Sequence, residues 1–175
     1  MFDSEGINAD HVLQDALKLS RDLHGKFDVA MSFGTAEHFS GPERIKIIES
    51  HFDLVRPGGL AIISVPNAWN IPYRLMKWKL EKQGRWAVGE EYPFSRLELS
   101  SISKQLGHRN FYFVGDSFYS SLRMVSFLSP RNVLRKLTGR IQSSRGQPER
   151  QAKERGSIFD SFISYALVLL AKKEN

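Results

Sequence analysis

Residues 27–66 read FDVAMSFGTAEHFSGPERIKIIESHFDLVRPGGLAIISVP, and this stretch decides the fold class. FDVAMSFG (27–34) is a near-continuous apolar run ending in glycine. Such a run suits a strand covered on both faces of a parallel sheet, and it is expected as a central strand. Ser40 and Glu43 have capping-box spacing with Pro42 in the first turn. Ile45, Ile48, Phe52 and Val55 follow at helical intervals until Pro57-Gly58-Gly59 stops the pattern. LAIISVP (60–66) reads as a second buried strand. Strand, helix and strand in so short a span form one right-handed parallel crossover unit, the signature of an α/β fold.

Upstream, HVLQ (11–14) is a short strand candidate, and residues 15–25, polar but for Leu17, Leu19 and Leu23 at intervals, read as a loop or one helical turn. Downstream, residues 68–94 break the rhythm with Trp69, Tyr73, Trp78, Trp86, Tyr92 and Phe94 among Lys and Arg, an aromatic and basic insertion over one sheet end. Ser95 and Glu98 repeat the capping-box spacing, Leu99, Ile102 and Leu106 mark a buried stripe, and Gly107 stands where a helix C-terminal glycine belongs. FYFVGDSF (111–118) and FISYALVLLAKK (162–173) read as strands. Between them, residues 131–155 carry eight Lys or Arg against Glu149 and Glu154, the pattern of a flexible basic loop.

At 175 residues the chain is one domain by length, residues 1–175, and its 41% hydrophobic and 25% charged residues are those of an ordinary globular protein. The absence of cysteine removes disulfides, thiolate metal sites and cysteine nucleophiles, and fits a reducing, cytoplasmic setting. The longest apolar run, Phe162–Ala171, is too short to cross a bilayer, so no membrane span is expected. A formal charge of +6 permits attraction to anionic partners. The basic loop lacks interleaved aromatics, so nucleic acid is not an expected partner. Its solvated reading competes with a rival for the whole chain: a non-catalytic module that uses the loop on nucleic acid or anionic surfaces. His11, His24, His38, His51 and His108 show no ligand spacing of the metal-site kind, and no metal is expected from them.

The order and spacing of these strings resemble the C-terminal part of a Rossmann-like, class I S-adenosylmethionine-dependent methyltransferase. VLQDALKL (12–19) is similar to that family's adenine-contacting segment, FDVAMSFGTAEHF (27–39) to its fourth strand and Glu-His turn, and LVRPGGLAIISVPN (54–67) to the approach to its fifth strand. The resemblance covers residues 10–118, and the final strand is similar to the family's antiparallel seventh. It implies an incomplete sheet. The family's first two strands and the glycine-rich turn between strand and helix have no counterpart before His11, where Met1–Asp10 hold one glycine, Gly6. The family's missing first strand lies beside its fourth, so FDVAMSFG would present an unpaired apolar edge.

The resemblance also implies S-adenosylmethionine as cofactor, a small-molecule methyl acceptor, and a chain that is truncated and inactive alone or completed by another in an oligomer. Asp15 and Ala16 would receive the adenine, and otherwise Asp15 caps a short turn. Ser32, Phe33 and Gly34 sit at the carboxyl end of a strand, where ligands of open α/β sheets bind, or else form a plain turn. Glu37 and His38 follow it. Glu37 is assigned to the cofactor, and His38 is the candidate base for a hydroxyl acceptor, with a capping role as the alternative. Asn67, Trp69, Tyr73, Trp86 and Glu91 would wall the acceptor pocket, or else form a satellite core beneath a long loop.

Overall fold

A computed structural model describes the chain at Gly6, over residues 9–116 and over residues 163–174. The basic 131–155 segment and residues 117–118 of the expected third strand lie outside the described residues. Four strands, β1 (Phe27–Phe33), β2 (Val55–Pro66), β3 (Phe111–Asp116) and β4 (Ala166–Lys172), form one sheet in the order β1-β2-β4-β3. β1 and β2 are parallel, and β4 runs antiparallel to both β2 and β3. Among the described residues three α-helices accompany them, α1 (Gly41–Leu54), α2 (Ile71–Lys82) and α3 (Arg96–Gln105). The sheet is therefore open, mixed and Rossmann-like, with the expected crossover at β1-α1-β2 and the expected antiparallel last strand.

Alternation along the strands sorts their residues onto two faces. Ala61, Ile63 and Val65 of β2 pair with Ala171, Leu169 and Leu167 of β4, and Phe113 of β3 pairs with Leu169. These side chains form one buried cluster with Ile47, Ile48 and Phe52 of α1 and Leu99 and Ile102 of α3. The opposite face stays partly open. Met31 and Phe33 of β1 are 57% and 66% exposed, and Tyr112 of β3 is 58% exposed.

β1 is an edge strand of the described sheet, not the expected central one, and only Ala30 in it is buried. An apolar run reports hydrophobic side chains, not the presence of a neighbour on each edge. HVLQ is likewise no strand: residues 11–14 are exposed and irregular, with no described strand alongside to complete their backbone hydrogen bonds. One short 3₁₀ turn, Arg21–Leu23, occupies the following segment.

The helix ends follow their signals in part. Ser95 caps α3, its side chain accepting from the Glu98 N–H, and Gly107 adopts φ 87° just past the helix. Ser40 occupies the cap position of α1 but makes no side-chain cap bond; its hydroxyl instead meets the phenol of Tyr92. β2 begins immediately after α1, five residues earlier than the apolar run, because Arg56-Pro57-Gly58-Gly59 enters the strand through a register shift opposite β1. Gly59 is fixed there by crowding: a Cβ would stand 2.9 Å from the carbonyl oxygens of both Arg56 and Asp28.

His51 of α1 ties helix to sheet. Its Nδ1–H donates to the Ile47 carbonyl at 2.7 Å, so Nε2 accepts the Ser32 hydroxyl at 2.8 Å. Burial disfavours the charged ring and holds the imidazole below its ordinary value. Its contribution to stability is complete above the unfolded value of about 6.5 and is lost as pH falls through the lower folded value. Urea denaturation between pH 8 and pH 5 should show this loss, with a shallower decline in His51→Gln. On the packed face, Leu169→Ala should cost about 2–5 kcal/mol. Met31→Ala should stay within about 0.5 kcal/mol. A comparable loss at Met31 would mean that something covers the outer face in solution.

Candidate active site

The carboxyl ends of β1 and β2 lie side by side and set the stage for the site. Gly34, just past β1, turns with φ 69° and donates its N–H to the Ser64 carbonyl at 3.0 Å. A Cβ there would approach Glu37 Oε1 to 3.3 Å, so the glycine lets the chain fold back and place Glu37 over the strand end. A 3₁₀ turn, Ala36–His38, then presents Glu37 inward, 2% exposed, and His38 outward.

From the end of β2, Asn67 starts the insertion. Its backbone N–H donates to the Tyr165 carbonyl, and its side chain donates to the Ser164 carbonyl and accepts from the Trp69 N–H. Asn70 caps α2 by accepting from the Tyr73 N–H at 2.8 Å, with Pro72 in the first turn. The cap directs Tyr73 into the interior, where its phenol donates to Glu91 Oε2 at 2.8 Å. Tyr165 meets the Tyr73 ring edge-on at 5.2 Å, and Trp86 does so at 6.4 Å.

The insertion is clamped back onto the first crossover. Tyr92 N–H donates to the Glu37 carbonyl at 2.7 Å. Arg44 of α1 donates to the carbonyls of Tyr92 and Pro93 at 2.7 and 2.9 Å, pairs with Glu98 of α3, and lies 3.3 Å over the Phe94 ring. Glu91 is thereby held beside Glu37. A carboxylate oxygen of each and one ring nitrogen of His38 lie within 4.8 Å of one another. Glu37 Oε2 is buried without a hydrogen-bond partner among the described residues.

Burial pushes the Glu37 carboxyl above the ordinary carboxylate range, and the charge of Glu91 adds to the rise against opposing effects from its own backbone N–H, His38 and Arg44. Burial likewise raises Tyr73 and Tyr165, reinforced by Glu91. These phenols are neutral donors at physiological pH. His38 Nδ1–H donates to the Glu90 carbonyl at 2.8 Å, which leaves Nε2 with the ring's lone pair.

Of the residues singled out in the sequence, Glu37, His38, Tyr73, Trp86 and Glu91 meet at this one place, and Asn67 braces it from below. Trp69 is 36% exposed, and its backbone N–H donates to the Asn67 side chain. Ala16 and Ser32 lie elsewhere, beside and within β1. Ala16 and Ser32 line a cavity of about 520 Å³ that α1 and residues 10–23 border, while Phe33 points from the other face into solvent. Asp15 Oδ1 accepts from the Leu17 N–H at 2.9 Å, the bond of a turn cap. Tyr165 and Arg44 carry no mark in the sequence, since their partners are far along the chain.

The fold is similar to that of solved S-adenosylmethionine-dependent methyltransferases. A SAM-dependent methyltransferase from Thermotoga maritima superposes with a TM-score of 0.56 at 18% identity, covering 98% of this chain and 67% of that one. Another from Archaeoglobus fulgidus gives 0.51 at 16% identity, covering 93% of this chain and 66% of that one. The chain thus spans about two thirds of the length of these structures, and at such identities the likeness is one of fold. No protein-family model matches the sequence, and no curated protein matches it. No helix among the described residues is long and apolar enough to cross a membrane.

Arg44→Met should cost about 1–3 kcal/mol, because it removes charge-assisted hydrogen bonds to two carbonyls and to a partly exposed Glu98. Amide exchange at Tyr92 should accelerate in the same variant. Unchanged protection there would mean that the insertion is held independently of the guanidinium.

Proposed function

We propose that this chain carries part of the site of a methyltransferase that moves the methyl group of S-adenosylmethionine to a small-molecule acceptor. The observation that carries the reading is the meeting of His38, Glu37, Tyr73 and Glu91 at the carboxyl ends of adjacent parallel strands, where ligands of open α/β sheets bind.

Residues present fit one side of the cofactor. The cavity bounded by Ala16 and Ser32 is large enough for a nucleoside portion, and Gly34 gives backbone access at the strand end. Asp15 stands beside Ala16 with its second carboxylate oxygen outside the turn bond, on an exposed side chain. The bound cofactor supplies an electrophilic methyl on a sulfonium. His38 receives the proton of a hydroxyl acceptor at Nε2, the Glu90 carbonyl holding the ring in that tautomer. Tyr73, Trp86 and Glu91 bound the acceptor and exclude water, so positioning and desolvation contribute most.

Isothermal titration with S-adenosylhomocysteine should show one site per chain, weakened strongly by Ala16→Trp, which fills the cavity. No binding at millimolar ligand, or binding indifferent to Ala16→Trp, rejects the placement. His38→Ala should leave that binding unchanged and slow transfer to a hydroxyl acceptor about 10²–10⁴-fold.

A further inference from the structure

Glu37 presents an energetic problem that the methyl-transfer reading does not solve. A buried carboxylate oxygen that no donor meets is unfavourable when charged, because desolvation is left uncompensated. Here a second buried carboxylate stands against it: Glu91 is 7% exposed and Glu37 is 2% exposed. Glu91 Oε2 is stabilised by the Tyr73 phenol, whereas Glu37 Oε2 is met by nothing among the described residues. Among the described residues no arginine or lysine donates to Glu37 Oε2, and Arg44 is engaged with Glu98 and the carbonyls of Tyr92 and Pro93.

We propose that Glu37, Glu91 and His38 together bind a first-row divalent cation at the carboxyl end of β1. Three features argue for a metal ion. The three donors already lie within 4.8 Å of one another, and donors about 2.0–2.2 Å from a shared tetrahedral ion stand about 3.4 Å apart, so side-chain adjustments of up to about 1 Å bring the set onto one ion. The donors are two carboxylates and one imidazole, a set that suits Mn²⁺ or Zn²⁺ better than Ca²⁺.

The supporting bonds are also those of a metal site. His38 donates Nδ1–H to a backbone carbonyl, the outer bond that orients a ligating histidine and leaves Nε2 for the ion. Tyr73 does the same for Glu91. The signal was hidden in the sequence because only Glu37 and His38 are adjacent, and Glu91 arrives from the far end of the insertion. An ion in this place occupies His38 Nε2, so ion binding and proton acceptance are alternatives at that atom. A bound cation then lowers the pKa of an oxygen it contacts, doing the same task by another route.

The inference goes beyond the methyl-transfer reading and is measured without cofactor or acceptor. Metal-free full chain is titrated with Mn²⁺, followed by the loss of the free ion's electron paramagnetic resonance signal, and with Zn²⁺ by calorimetry. One equivalent should bind. Glu91→Gln and Glu37→Gln should each weaken it at least tenfold, and Tyr73→Phe should weaken it by about 10-fold through the outer bond. Asp28→Asn, at an exposed ion pair, should change nothing. If Glu37→Gln does not fold, Glu91→Gln on the insertion carries the test. No binding by the wild-type chain, or binding equal in wild type and Glu91→Gln, overturns the proposal and leaves a proton as the group between the carboxylates.

Discussion

The guanidinium of Arg44 is where separate parts of this molecule become one. It draws α1, α3 and the end of the insertion together through Glu98, the carbonyls of Tyr92 and Pro93, and the face of Phe94. A planar cation with several fixed donors can satisfy such divergent acceptors at once, which an ammonium on a flexible stem cannot do as well. The position of Glu91 follows from this clamp. It acts together with the Tyr73 bond to Glu91 and the Tyr92 N–H bond to the Glu37 carbonyl, which lay one carboxylate beside the other.

Beneath the clamp is ordinary hydrophobic packing. α1 and α3 cover one face of the sheet with interdigitated Ile, Leu and Phe side chains, and the strand ends are placed by that packing. Glu37 and His38 sit on the turn that leaves β1, so their positions inherit the rigidity of the core. This arrangement is common in open α/β sheets, in which the same frame supports many chemistries.

The parts legible in the sequence were those decided locally. β1, α1 and β2 are written in hydrophobic period and turn residues, and α3 in its Ser95 cap and Gly107. α2 was not anticipated: Ile71, Leu75 and Trp78 face outward on it, so its apolar residues do not trace a buried stripe. The edge position of β1 was visible only through the missing neighbour, never in the strand's own residues. In the site, Glu37, His38, Tyr73, Trp86 and Glu91 were found because they flank strand ends. The contributions of Arg44 and Tyr165 depend on partners far away in sequence, and no local pattern encodes them.

The placement of β4 has a consequence for how the protein comes into being. β4 lies between β2 and β3, yet it is the last strand of the four along the chain. On the ribosome, β2 and β3 both emerge long before the element that joins them, each with a bare hydrogen-bonding edge. Closure of the sheet's middle then waits on a long-range, antiparallel zippering step, which raises contact order and slows folding. A nascent chain paused before Ala166 holds two adhesive edges and half a core, the state that chaperones shield.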